Sequence, residues 1–118
     1  MKKYRQILIF AICSLVCAGV RGQEIDTATR LRLAQSFEQS GDWDRAVAIY
    51  EELNKRDPAS YVFFDGLRRA YTQVKKYDEA ITLVQQRLKI QPNDPLLVSI
   101  MAGLFYENGN EPTADSLW

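Results

Sequence analysis

The chain has 118 residues, 47 % hydrophobic and 25 % charged, which is ordinary globular usage, enough for one modest domain and contrary to disorder. Formal net charge is zero, yet Lys2, Lys3, Arg5 and Arg21 fall between Met1 and Gly22 with no acid among them, leaving 11 basic against 15 acidic groups in the rest. That mildly acidic remainder lacks the clustered Lys and Arg that phosphate binding wants, so nucleic acid is not an expected partner.

The basic start precedes a mostly apolar run from Ile7 to Val20. This is short for a bilayer-spanning helix and suited to the core of a signal peptide. Residues 1–22 read as that signal, with Val20 and Gly22 placed for a cut before Gln23. Val16 and Ala18 mark a second choice, and an uncleaved anchor is the alternative that the length disfavours. Cys13 and Cys17 lie inside the run. A lipid-modified cysteine needs a small residue before it, whereas Ile12 and Val16 stand there, so both cysteines read as apolar filler. Removal of the segment leaves no cysteine, which excludes disulfides and thiolate metal sites. The expected location is extracytoplasmic, periplasmic or secreted, with no membrane contact after the signal is removed.

Residues 23–26 form a short polar lead-in, after which Leu31, Leu33, Ala34 and Phe37 recur at helical spacing. This first helix is expected to stop at Ser40-Gly41, where glycine accepts the left-handed conformation that ends a helix. A second helix follows, with Asp42 or its neighbour as cap and a buried stripe of Trp43, Ala46, Val47, Ile49, Tyr50 and Leu53. Asp57-Pro58 should end it near Arg56, because the residue before a proline is biased out of the helical region. The cycle restarts with Val62, Phe63, Phe64, Leu67, Ala70 and Tyr71 and breaks around Lys75-Lys76. It resumes with Tyr77, Ala80, Ile81, Leu83, Val84 and Leu88, and Pro92 closes it. Asp94-Pro95 opens a third pair, since a capping aspartate followed by a first-turn proline is a strong helix start. Its first helix carries Leu96, Leu97, Val98, Ile100, Met101, Leu104 and Phe105 and breaks at Asn108-Gly109-Asn110; Pro112 opens a last helix that stops at Trp118.

These segments recur with one fixed offset: Leu33 aligns with Leu67 and Met101, Phe37 with Tyr71 and Phe105, Ala46 with Ala80 and Ala114, and Pro58 with Pro92. A fixed period of this length means that each unit cannot bury its apolar face alone and must stack on its neighbours. The units span 27–60, 61–94 and 95–118, the third cut at half length. The chain therefore reads as the N-terminal part of a longer protein. The alternative is a true terminus whose Leu117 and Trp118 dock on a partner subunit, an exposed end that also offers a route to self-association.

Leu33-Ala34, Phe37, Gly41, Trp43, Ala46, Tyr50 and Pro58 stand in the order and spacing of a tetratricopeptide repeat. The second unit matches through Phe64, Leu67, Tyr71, Tyr77, Ala80 and Pro92, and the third through Met101-Ala102, Phe105, Gly109 and Ala114. Residues 27–118 thus resemble that family. Three positions depart from its pattern: Arg68 and Arg87 stand where small residues are usual, and Lys75 replaces a turn glycine, departures that bear on the tightness of the middle unit.

The resemblance implies an all-α fold, an α-solenoid of about two and a half units, in which antiparallel helix pairs form a right-handed superhelix. It implies a concave groove lined by the first helix of each pair, and an activity of holding a peptide or helix of another protein. In that register the groove positions are Ala28, Leu31, Gln35 and Glu38, then Val62, Asp65, Arg69 and Thr72, then Leu96, Ser99, Gly103 and Tyr106. The set suits a segment with an acidic group facing Arg69, while Leu31 and Leu96 have an alternative role in packing against a neighbouring helix. Repeats of the family that grip chaperone C-termini carry Lys, Asn, Asn, Lys and Arg where this chain has Leu31, Gln35, Gly66, Leu96 and Ile100. All five differ, so binding of chaperone tails is not expected.

Little chemistry is expected besides. The chain has no histidine, which removes imidazole catalysis and His-based metal sites. Glu51-Glu52 and Asp78-Glu79 are adjacent acids that diverge by about 100° on a helix and read as a solvated face. Ser36, Ser40 and Ser99 lack a base, and no glycine-rich phosphate loop occurs. The chain reads as a scaffold or adaptor without cofactor, metal or catalytic residue; the second reading makes these repeats an accessory to a longer exported enzyme or envelope protein.

Overall fold

A computed structural model of the chain describes residues 26–109 and 116–117. The expected signal segment with Gly22 and Gln23, both cysteines, and Pro112, Ala114 and Trp118 of the expected last helix lie outside the described residues. Five helices occupy residues 26–109: α1 (26–40), α2 (Trp43–Arg56), α3 (Tyr61–Gln73), α4 (Tyr77–Ile90) and α5 (Pro95–Glu107). Asp26, placed by the sequence in the polar lead-in, is already helical.

The turn inside each pair is the same device used three times. Gly41, Lys75 and Gly109 take positive φ of 79°, 62° and 82°. The Gly41 N–H donates to the Glu38 carbonyl (3.1 Å) and the Asp42 N–H to Phe37 (2.9 Å), while Lys75 and Lys76 repeat the pattern onto Thr72 (3.1 Å) and Tyr71 (2.9 Å). Gly109 donates to Tyr106 at 3.0 Å. These bonds satisfy carbonyls that the last helical turn leaves open. Lys75 does so with a Cβ, at a steric cost of about 1–2 kcal/mol. Glycine there adds back roughly 0.5–1 kcal/mol of unfolded-chain entropy. Lys75→Gly is therefore expected to stabilise the chain by about 0.5–1 kcal/mol, read as a higher urea midpoint; a lower midpoint would contradict it.

Between pairs, proline and side-chain caps act together. Asp57 caps the end of α2 before Pro58, and the Ser60 hydroxyl accepts from the Phe63 N–H at 3.4 Å to start α3. Asp94 accepts from the Leu96 N–H at 2.9 Å, with Pro95 in the first turn of α5. Each pair is antiparallel. In the first, Asp26 and Arg30 of α1 meet Glu52 and Arg56 near the end of α2, while Arg45 near its start lies 5.6 Å above the Phe37 ring. Between the second and third units, Asn108 just beyond α5 donates to Asp78 at the start of α4 (3.1 Å), so these neighbours also run antiparallel. Hydrogen bonding to Arg30 holds the Asp26 carboxyl below its usual pKa and raises that of Arg30.

The core runs continuously through Ala34, Ala46, Tyr50, Leu53, Phe64, Leu67, Ala70, Ala80, Val84, Leu97 and Leu104. Helix α3 lies tight against α2 at the buried Gly66, where a Cβ would overlap the Tyr50 ring. The two arginines at usually small positions are each accommodated. Arg68 turns back along α3 to pair with Asp65 (2.8 Å). Arg87 is only 8 % exposed, yet its guanidinium donates to the carbonyls of Ala59 (2.9 Å) and Pro58 (3.4 Å) and lies 5.7 and 5.5 Å over the rings of Tyr61 and Phe64. The middle unit is thus closed by Gly66 and plugged by Arg87.

One expected stripe residue falls outside the core. Leu33 is 47 % exposed, whereas its equivalent Leu67 is 3 % exposed. Leu67 lies beside Glu51, Asn54 and Lys55 of α2, the second helix of the preceding unit. Among the described residues no helix stands before α1 to cover Leu33 in the same way.

Candidate functional site

The first helices of the pairs carry the residues that the sequence assigns to the groove, and the structure sorts them by exposure. Val62, Leu96 and Tyr106 are 53 %, 55 % and 58 % exposed, large apolar groups left outside the core of α3 and α5. Gln35 is also exposed, and Ser99 is half-buried. Leu31 packs against the core, so of the two residues with alternative roles Leu31 takes the packing one and Leu96 does not. Thr72 donates its hydroxyl to the Arg68 carbonyl of its own helix (2.8 Å).

Glu38, Asp65 and Arg69 are brought together, but with one another. Arg69 donates to Glu38 of α1 (3.1 Å) and is hydrogen-bonded to Asp65 one turn back on α3. An acidic group of a partner facing Arg69 therefore meets competition from two carboxylates of the same chain. Burial works against the charge on Arg69, yet the hydrogen bond and charge of Glu38, joined by Asp65, hold its pKa above the usual arginine value. Tyr50 lies beside this cluster, fully buried, and burial together with the Glu38 charge pushes its phenol up to about 12.

A phenol raised in the folded state retains its proton after the unfolded chain has begun to lose it. The unfolded state is then favoured as pH rises, so this stabilisation is complete below pH 10 and declines between about pH 10 and 12. Tyr50→Phe is expected to flatten that decline in urea titrations across the interval. An unchanged slope in the variant would refute the assignment.

The surface between pairs holds a concavity that the sequence does not announce. It is a groove of about 640 Å³ between α2 and α4, floored by Leu67 and Tyr71 of α3. Glu51, Asp78 and Glu79 stand at one end, and Pro58 and Gln86 at the other. The Tyr71 hydroxyl donates to Glu51 (2.9 Å), and burial with that hydrogen bond raises the Tyr71 pKa. Charge at positions on two different helices, well separated along the chain, is invisible to a search for local motifs; comparing the outward positions of successive second helices would have found it. Among the described residues no set of three His, Cys, Asp or Glu side chains is arranged to hold a metal ion, and no helix is long and apolar enough to cross a membrane.

Comparison with known proteins places this geometry. The chain matches the family model described as tetratricopeptide repeat over residues 38–104. No curated protein sequence matches it. Among solved structures, PcrH from Pseudomonas aeruginosa superposes with a TM-score of 0.66 at 22 % identity, covering 77 % of this chain and 69 % of PcrH. PcrH in complex with the chaperone binding region of PopB gives 0.65 at 22 % identity, with coverage of 77 % and 73 %. The Yersinia enterocolitica type III secretion translocator chaperone SycD gives 0.65 at 23 % identity, with coverage of 77 % and 69 %. At these identities the likeness is one of fold, a helical solenoid shared with interaction modules. With its helix pairs, its three left-handed turns and a family match spanning more than half its length, the chain belongs to the tetratricopeptide repeat family.

Proposed function

We propose that this chain is an exported scaffold or adaptor that holds a peptide or helix of a partner protein against the first helices of its repeats. The observation that carries this reading is the exposure of Val62, Leu96 and Tyr106 on α3 and α5, while most apolar side chains of the second helices go to stacking. Large apolar groups left in water on one set of helices are what an amphipathic segment would cover. The complex of PcrH with a region of PopB supports a protein segment as the kind of occupant. The basic start and apolar run of residues 1–22 support export, with Gln23 as the first residue of the mature chain.

The test is photo-crosslinking in cells, with a photoreactive side chain at Val62 or Leu96 and, for comparison, at Lys89 on α4. A discrete adduct from Val62 and Leu96 that Tyr106→Asp removes is the expected result. Adducts from Lys89 alone would reject the assignment of this face. N-terminal sequencing of the protein from the extracytoplasmic fraction should begin at Gln23; an intact chain confined to the cytoplasm would reject export.

A further inference from the structure

We infer that the groove between α2 and α4 is a second docking site, separate from the face of the first helices, and that it takes a short extended peptide segment carrying Lys or Arg beside an apolar residue. The argument begins with its dimensions. Both lining helices run in the same direction, and the lining extends from Glu51 of α2 to Pro58 just beyond it and from Asp78 to Gln86 along α4. At about 1.5 Å per helical residue this gives a trough roughly 10–12 Å long, which holds about three residues of extended chain at about 3.3 Å each.

Its walls differ in charge along that length. Glu51, Asp78 and Glu79 face the start of the trough, and none of them forms an ion pair among the described residues. Among the described residues the Glu51 carboxylate accepts from the neutral Tyr71 hydroxyl and that of Asp78 from the neutral Asn108 amide, so neither meets a cation within ion-pair distance. The one cation in the lining, Lys55, sits further along α2. The floor is the half-buried Tyr71 ring, with the buried Leu67 and Leu83 beneath it. A cationic side chain at the acidic end with an aliphatic one against the Tyr71 ring therefore complements both halves of the surface.

The test is fluorescence anisotropy on the full chain with two labelled hexapeptides, one alternating Lys and Leu and one alternating Glu and Leu. The Lys/Leu probe is expected to bind saturably and more weakly as salt rises, and the Glu/Leu probe not to bind. Glu79→Lys and, separately, Thr82→Lys are expected to weaken the Lys/Leu probe at least tenfold; both positions are exposed, and unchanged circular dichroism melts confirm that the variants fold. Leu96→Asp, on the opposite set of helices, should leave it unchanged. Retained affinity in both lysine variants, equal binding of the two probes, or loss in Leu96→Asp alone would each overturn the inference. So would a dimer in sedimentation that Glu79→Lys dissolves without any binding of the probe, since that assigns the groove to a second copy.

Discussion

Gly66→Ala is expected to destabilise the chain by about 2 kcal/mol, although alanine is the better helix former. Two effects oppose each other. Alanine in a helix interior gains about 1 kcal/mol over glycine, whereas forcing a methyl into a packed core costs roughly 1–3 kcal/mol and occasionally more. At Gly66 the methyl would overlap the Tyr50 ring, which is fully buried, so the upper end of the range applies. Gly103 of α5 supplies the contrast, because nothing lies within 4 Å of a Cβ placed there. Gly103→Ala is accordingly expected to stabilise by about 1 kcal/mol. Urea denaturation of the two variants should give shifts of opposite sign. Shifts of the same sign would mean that helix propensity, not the Tyr50 contact, governs position 66. Pairing Gly66→Ala with Tyr50→Leu should recover part of the loss, as expected of residues in contact.

Arg87→Met is expected to cost about 2 kcal/mol. A hydrogen bond from a charged donor contributes about 1.5–3 kcal/mol, and a guanidinium over an aromatic ring about 0.5–1 kcal/mol or more when desolvated. Against these stands the desolvation of the buried cation, which a methionine would not suffer. The balance favours arginine because its charge meets two carbonyl oxygens and two ring faces at once. Pro58 and Ala59 are exposed and can rehydrate, which keeps the loss near the lower end of the sum. Arg87→Lys should recover less than half, since an ammonium lacks the planar fork that serves both carbonyls. The check is thermal unfolding, where about 1 kcal/mol moves the midpoint of a domain this size by roughly 4–8 °C. A methionine variant as stable as the parent would mean that desolvation outweighs the contacts.

The boundaries of α2 and α5 and the three left-handed turns were legible because each depends on a few neighbouring residues. Asp57-Pro58 ends a helix by local sterics, and Asp94-Pro95 starts one the same way. Lys75 was legible only through its alignment with Gly41 and Gly109, since nothing local in Lys75-Lys76 asks for a positive φ. The arginines were not legible. A sequence shows that Arg68 and Arg87 are too large for the usual contact; it does not show that Gly66 takes over the close approach to Tyr50, or that Arg87 reaches the loop before α3.

The candidate site divides in the same way. Val62, Leu96 and Tyr106 could be assigned to the outward side of their helices from the repeat register alone. The fate of Arg69 depended on a partner on the preceding first helix, a full unit away. Its signal was present as opposite charges on equivalent helices of adjacent units, a little short of the repeat period. Leu33 shows the complementary failure: periodicity reports that a residue faces a neighbour's place without reporting whether a neighbour stands there.

The Glu38–Arg69 bond also bears on how the chain comes apart. In a linear array each unit has its own stability and a coupling to the next, and the coupling decides whether units melt singly or together. Part of that coupling is carried here by a charged pair reaching from α1 to α3, with the Arg69 side chain partly in water. Added salt weakens such a pair while leaving the apolar seam between units intact. Ionic strength therefore acts as a tuning knob on cooperativity: raising salt is expected to weaken the coupling of the first unit to the second.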